Sequence, residues 1–194
     1  MLSAQSLSEA ERRLVAAWAA DCAERALPLF ENIHPTDTRP RAAIDRTRAF
    51  ALGDRNTASE IRRRFQDGGA ARTAKSSAAA AAARAAGQAA AVCHMGAHAL
   101  GAAAYAAKAI ALAHPDCPDA VQQEIRWQLA QLTADAHAAL RSLPPLGENR
   151  SGPLGPGLLA SGQLGAIIRE LQMGLAKLAA SQPGAAKPPP AGNP

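Results

Sequence analysis

The segment AVCHMGAHALGAAAY, Ala91–Tyr105, consists almost entirely of alanine, glycine and other small residues. Alanine has the highest helix propensity of all residues, and its small side chain lets neighbouring helices approach closely. Two histidines, His94 and His98, stand four positions apart in this segment. We therefore expect it to lie in a closely packed central helix that carries both imidazole rings on one face.

The composition of the whole chain supports the same interpretation. Hydrophobic residues make up 48% of the 194 residues, but aromatic residues make up only 3%. A core with so few large side chains gains its stability from many close contacts between helices. No alternating pattern typical of β-strands is present. The sequence predicts an all-α fold, a compact helical bundle of about five to seven helices with an Ala-rich central helix pair and an extra C-terminal amphipathic helix.

Capping residues predict where several helices begin and end. Ser8 and Glu11 have the spacing of a capping box, and Gly53 is a natural C-cap for the second helix. Thr57 and Glu60 have the spacing of another capping box.

Helix limits are also expected in the second half of the bundle. Gly87 is expected to kink the Ala-rich region or to mark a turn in it. Further helices are expected over about 88–114 and from Asp116 or Asp119 to about 143.

The chain is expected to divide into four segments. Residues 1–143 form the helical bundle, 144–157 a Gly/Pro linker, 158–181 an amphipathic helix, and 182–194 a disordered Pro-rich tail. The apolar face of a helix of that length would be exposed if nothing covered it. We therefore expect the amphipathic helix to dock on the bundle or to pair in a homodimer.

Basic residues are concentrated between Arg39 and Lys75, and the formal net charge of the chain is +5. Such a stripe could attract nucleic acid or an acidic protein surface. Because it lacks interleaved aromatic residues that would stack on bases, we favour a solvated helix face.

Several patterns that would indicate a particular compartment or cofactor are missing from the sequence. The three cysteines have no CxxC spacing, and the first residues show no basic stretch followed by an apolar one. The Ala-rich segments carry too many polar residues for a membrane span. No phosphate-binding glycine motif and no nucleophile–base arrangement are present. We expect a cytoplasmic, reduced, non-enzymatic protein without a cofactor.

The first candidate site is the stripe formed by His94, His98 and Tyr105. It could face a pocket for a partner or small ligand, or each histidine could join a polar network in the core. A His-x-x-x-His pattern also supplies two metal ligands, but further ligands would have to come from another helix. We therefore predict no metal site, and His94 and His98 remain only weak metal candidates.

The second candidate group lies on the first helix. Asp21 and Glu24 could act as paired carboxylates, or they could form salt bridges with the nearby Arg25, Arg39 and Arg41. Two tryptophans add aromatic surface. The complete set of candidate binding residues is His94, His98, Tyr105, Trp18, Asp21, Glu24, Arg41 and Trp127.

Four runs of this sequence resemble a family of small helical immunity proteins from bacterial polymorphic-toxin systems. The runs are WAADCAERALPLFE (18–31), DTRPRAAID (37–45), AARAAGQAAAVCHMGAHALGAAAYAAKA (82–109) and EIRWQ (124–128). The resemblance covers about residues 10–135. The positions that match are Trp18, Asp21, Glu24, Asp37, Arg39, Pro40, Arg41, His94, His98, Tyr105, Trp127 and Gln128.

The resemblance implies a non-catalytic protein that protects its producer by binding a harmful partner, a toxin protein. An inhibitor of a basic nuclease is expected to be acidic, so the positive charge of this chain disfavours a nuclease partner. Two alternatives remain open at this point. The chain could bind a small antibiotic-type molecule in an interhelical pocket, or nucleic acid through the basic stripe from Arg39 to Lys75.

Overall fold

The computed structural model describes residues 3–56 and 69–180, and the described residues form helices and turns without a β-strand. Seven of the described helices are eight residues or longer. The predicted all-α bundle is confirmed. In chain order the helices are α1 (Glu9–Ala26), α2 (Pro28–Glu31), α3 (Arg39–Leu52), α4 (Ala70–Thr73), α5 (Ser77–Ala91), α6 (His98–Ala113), α7 (Ala120–Ala130), α8 (Ala134–Arg141) and α9 (Gly162–Ala180), with a 3-10 turn at Leu158–Ala160.

Helix α6 occupies the centre of the bundle. It packs against α5 along its length and also contacts α1, α7 and α9. Every residue from Ala99 to Ala107 is buried, so the helix has no solvent-exposed face over this stretch. Small side chains permit this arrangement, because four neighbouring helices can approach the backbone of α6 closely only where side chains are short. The helices α5 and α6 are the predicted Ala-rich central pair.

Two of the predicted helix caps are present. The Ser8 hydroxyl accepts a hydrogen bond from the Glu11 backbone N–H at 3.2 Å, and the Glu11 carboxylate accepts one from the Ser8 N–H at 2.7 Å. Hydrogen bonds from the Ser8 side chain and backbone to the carboxyl group lower the pKa of Glu11. Gly53 ends α3 with φ +90°, a conformation that glycine adopts without steric cost. The capping box predicted at Thr57 and Glu60 lies outside the described residues.

The break in the Ala-rich region lies at residues 92–97, and the prediction of a kink or turn at Gly87 is wrong. Helix α5 continues through Gly87. The chain turns later because the backbone N–H groups of Gly96 and Ala97 donate to the carbonyl oxygens of Ser6 and Gln5, both at 3.1 Å. Those two donors are therefore directed to the N-terminal segment rather than to a helix.

This turn also changes the prediction for the two histidines. His94 lies in the turn, whereas His98 is the first residue of α6. Their spacing predicted that both side chains lie on one face of a continuous helix, and this prediction is wrong.

A second break divides the helix predicted from Asp116 or Asp119 to about residue 143. Helix α7 ends at Ala130, and Thr133 then caps α8 by accepting a hydrogen bond from the Ala136 N–H at 3.2 Å. A threonine hydroxyl that satisfies a helix N-terminus in this way starts a new helix.

The C-terminal helix α9 packs against α6, α7 and α8. It buries five apolar side chains, Leu164, Ile167, Ile168, Leu171 and Leu175. The imidazole Nε2 of the buried His137 on α8 lies 2.8 Å from the carbonyl oxygen of Leu175. The apolar face of α9 thus packs on the bundle, and pairing of this helix in a homodimer stays a prediction.

None of the described helices is both long and apolar enough to cross a membrane. The tail predicted over 182–194 lies outside the described residues.

Candidate functional site

The eight candidate residues fall into two separate places on the bundle. We call the first the tryptophan groove; its candidate residues are Asp21, Glu24 and Trp127. We call the second the histidine cavity; its candidate residues are His94, His98 and Tyr105. The remaining two, Trp18 and Arg41, are hydrogen-bonded to residues in or behind the groove.

The tryptophan groove has a volume of about 450 Å³ and lies between α1, α3 and the C-terminal end of α7. Trp127 is partly exposed, and the guanidinium carbon of Arg25 lies 4.4 Å from the centre of a Trp127 ring. This distance is typical of a cation–π interaction. The complete lining is Asp21, Glu24, Arg25, Arg48, Trp127 and Gln131.

Ion pairs connect α1 and α3 along this groove. Arg48 pairs with Asp21 at 2.8 Å and also with Glu24. Arg41 donates to Glu24 at 2.9 Å and to both carboxylate oxygens of Glu31, each at 2.9 Å, and these bonds to Glu31 raise the pKa of Arg41. The two arginine side chains are each 39% exposed. Ion pairs this accessible contribute little to stability, so their main effect is to orient the charged groups.

These pairs answer the question that the sequence left open for the acidic residues. The predicted salt bridges are confirmed for Arg41, which pairs with Glu24. The other two predicted arginines have different partners. Arg25 on α1 pairs with Glu124 on α7 at 2.7 Å, and its guanidinium also stacks on Trp127. Arg39 pairs with Asp37, which lies two residues before the start of α3.

A buried polar network lies behind the groove. The Gln128 side-chain amide donates to Glu124 Oε1 at 3.2 Å and to the carbonyl oxygen of Ala103 at 3.1 Å. The Trp18 indole N–H donates to the backbone oxygen of Gln128 at 2.7 Å, so Trp18 is a core residue that joins α1 to α7. Burial and the nearby Glu124 carboxylate raise the pKa of the Cys22 thiol. Sequence reasoning missed the role of Glu124, because a glutamate in a helix normally faces solvent.

The histidine cavity has a volume of about 390 Å³ and lies between the 92–97 turn, helices α5 and α6, and residues 152–159. His98 Nδ1 lies 2.8 Å from Gln88 Oε1. His94 is exposed in the turn, whereas Tyr105 is only 4% exposed. The complete lining is Gln88, His94, Met95, His98, Tyr105, Gly152, Pro153, Gly155, Gly157, Leu158 and Leu159.

Residues 152–159 form the wall of this cavity that sequence reasoning did not find. Their Gly/Pro composition is typical of a linker, and the structure shows that they line the same cavity as His94, His98 and Tyr105. The loop is fixed by Gln5, a polar residue that is only 1% exposed. No local pattern in the sequence signals this role for Gln5.

The Gln5 side chain makes one bond at each end of its amide. Its Nε2 donates to the carbonyl oxygen of Ser151 at 2.7 Å, and its Oε1 accepts from the Leu154 N–H at 2.9 Å. The Gln5 backbone oxygen accepts from Ala97. One residue therefore connects the 92–97 turn to the loop that borders the cavity.

Replacing Gln5 by Ala is expected to release this loop without unfolding the bundle. The change leaves the buried Leu154 N–H and the part-buried Ser151 carbonyl without their partner, and loss of the buried bond costs about 1–3 kcal/mol. We expect the Leu154 amide to exchange its hydrogen about tenfold faster or more, measured by native-state hydrogen exchange. Amides of α6 serve as the internal reference. Unchanged exchange at Leu154 would show that Gln5 does not hold the loop.

Three arginines in the described part of the basic stripe are paired with acidic residues. Arg39, Arg41 and Arg48 all form ion pairs with carboxylates. The section of the stripe in residues 57–68 lies outside the described part of the chain. The paired arginines offer little net positive charge to a nucleic acid.

The arrangement of possible metal ligands is also clear for residues 3–56 and 69–180. Within these ranges, no three or more His, Cys, Asp or Glu side chains come close enough together to hold a metal ion.

No curated protein and no solved structure shows significant similarity to this chain. The model of one protein family, described as "Imm-5 like putative immunity protein", matches residues 5–135. This range includes α1 to α7, the whole tryptophan groove, and only one side of the histidine cavity. With most of the bundle matched, the chain belongs to the family of Imm-5 like immunity proteins.

Proposed function

We propose that this chain is a non-catalytic immunity protein that binds and neutralises a toxin protein through the tryptophan groove. The observation that carries the proposal is the partly exposed Trp127, which lies beneath the guanidinium of Arg25 on the wall of the groove. Tryptophan and arginine are the residue types most enriched among the residues that dominate protein–protein binding energies. The membership of the chain in an immunity family implies a partner of this kind.

The position of the groove within the family match supports its choice over the histidine cavity. All six residues that line the groove lie within residues 5–135, whereas residues 152–159 of the cavity lie beyond that range. A function common to the family is better served by a surface that lies wholly inside the shared region.

The charges of the groove suit recognition of a specific protein. Asp21, Glu24 and Arg48 are held in place by one another and are about two-fifths exposed, so a partner's charged side chains can reach them. Charged groups arranged in this way contribute to specificity and orientation more than to raw affinity. The net charge of +5 on the whole chain favours an approaching acidic surface.

Replacing Trp127 by Ala is expected to remove protection against the toxin. The test first identifies a toxin gene next to the gene for this chain, then expresses the variant together with that toxin and counts surviving cells. Truncation of a central aromatic contact costs about 2 kcal/mol or more, which corresponds to a loss of about 30-fold in affinity. Isothermal titration with the purified toxin measures that loss and gives the stoichiometry.

The matched control is Arg126→Ala, a change at the adjacent exposed position of α7 that does not line the groove. This variant should protect as well as the unmodified protein, and circular dichroism should show that both variants are folded. Full protection by a folded Trp127→Ala variant would place the partner on another surface. Protection at a small fraction of one equivalent of protein per toxin would contradict a non-catalytic mechanism.

A further inference from the structure

The histidine cavity is open to solvent and is bordered on one side by a loop that does not fill it. Three of the six lining residues in the loop are glycines, namely Gly152, Gly155 and Gly157. A Cβ at Gly152 or Gly155 would meet Gln5 or the Ser151 backbone, whereas a Cβ at Gly157 would meet no atom within 4 Å, so space is open beside Gly157. Protein interiors are normally close-packed, and a cavity of about 390 Å³ lies within the range of small-molecule sites.

Tyr105 is the buried polar group of this cavity. The residue as a whole is 4% exposed, but its hydroxyl oxygen is not among the fully buried side-chain atoms that lack a hydrogen-bond partner in the described part of the chain. The hydroxyl lines the cavity, so an acceptor bound there can take its hydrogen bond. Burial raises the pKa of Tyr105, which keeps the hydroxyl protonated and able to donate.

The other residues of the cavity indicate what kind of molecule fits. Met95, Pro153 and Leu159 form an apolar wall, and no aspartate or glutamate is among the residues that line the cavity. The guanidinium carbon of Arg84 lies 5.9 Å from the centre of the Tyr105 ring. The surroundings thus combine an apolar surface with hydrogen-bond donors and a nearby positive charge, which favours an anion over a cation.

We propose that the histidine cavity binds a small organic carboxylate with an apolar body, and that a carboxylate oxygen accepts a hydrogen bond from the Tyr105 hydroxyl. The apolar body lies against Met95, Pro153 and Leu159. This site is distinct from the tryptophan groove, because the two share no lining residue. It also requires the C-terminal segment beyond the family match, so it is a property of this chain rather than of the shared domain.

The test uses 2-naphthoate as the probe and its neutral analogue 2-naphthamide as the matched compound. We expect 2-naphthoate to bind with a dissociation constant of about 1 mM or below, measured by titration with NMR observation of the Tyr105 region. The amide has the same rings but no charge, and it should bind more weakly. Absence of saturable binding up to about 10 mM, or equal binding of the two compounds, would overturn the proposal.

Two variants of the full chain test the placement of the ligand. Tyr105→Phe removes only the hydroxyl and should lower the affinity for 2-naphthoate about tenfold. Gly157→Leu is designed to narrow the cavity and should lower the affinity for 2-naphthoate by a similar factor. The backbone at Gly157 is extended (φ 173°), and a Cβ there would meet no atom within 4 Å, so this second variant should fold. Unchanged affinity in either folded variant would overturn the assignment.

Trp127→Ala separates this site from toxin binding. The variant should keep its affinity for 2-naphthoate while its affinity for the toxin falls. A parallel loss of both affinities would show that the carboxylate binds in the tryptophan groove instead.

Discussion

Replacing Ala106 by Leu is expected to lower the free energy of unfolding by about 3 kcal/mol, at the upper end of the usual cost of overpacking. Ala106 is fully buried on α6, and α6 is enclosed by α1, α5, α7 and α9. A larger side chain at this position has no solvent-exposed direction to turn to, so a neighbouring helix must move. Typical domains are stable by only about 5–15 kcal/mol, and urea denaturation should show the loss directly.

The control for this prediction is Ala17→Leu, which makes the same chemical change at an exposed position of α1. Surface substitutions of this kind change stability by about 0.5 kcal/mol or less. If Ala106→Leu were as stable as the unmodified protein, the neighbouring helices would have to separate easily. Close contact around α6 would then not be what stabilises the bundle.

The features that the sequence predicts well depend on local interactions. The alanine content favours helices wherever it occurs, and the Ser8–Glu11 cap needs only residues three positions apart. Gly53 ends α3 for an equally local reason, since its left-handed backbone conformation suits glycine. Fold class and these helix limits follow from such patterns.

The turn at residues 92–97 shows where local patterns stop being informative. A glycine within an alanine-rich run suggests a break near Gly87. The chain instead turns where the backbone N–H groups of Gly96 and Ala97 donate to the carbonyl oxygens of Ser6 and Gln5. Those acceptors are distant in the sequence, so no window around the turn contains the cause. The consequence for the candidate site is direct, because His94 and His98 no longer share one helix.

The sequence names candidate site residues by their type, but it does not predict how the structure groups them. The sequence singled out Trp127 and Glu24 as candidates. It did not indicate that Arg48 of α3 would line the same groove as these residues of α7 and α1. Contacts between helices decide such groupings, and spacing along the chain does not report them. The same limit hides the loop beside the histidine cavity, since Gly/Pro-rich residues look like a linker whether or not they pack on something.

Replacing Arg25 by Ala is expected to lower the free energy of unfolding by about 3 kcal/mol, the low end of the usual cost of breaking a buried ion pair. The Glu124 side chain is only 1% exposed, and its charged partner is Arg25, whose Nε donates to the carboxylate at 2.7 Å. Without the arginine, the carboxylate keeps only the Gln128 amide as a donor among the described residues. The arginine itself is 44% exposed, so water that enters beside it limits the loss. Thermal and urea denaturation near pH 7 measure the effect.

The double variant Arg25→Ala with Glu124→Gln identifies the cause of that loss. A neutral amide needs no opposite charge, so the double variant should recover at least about 1 kcal/mol relative to Arg25→Ala alone. Arg126→Ala removes a guanidinium from an exposed position of α7 and should leave stability nearly unchanged. If the effects of the Arg25 and Glu124 changes simply added, the two residues would not be energetically coupled. The loss would then come from the stacking of Arg25 on Trp127, and Trp127→Ala would reproduce it.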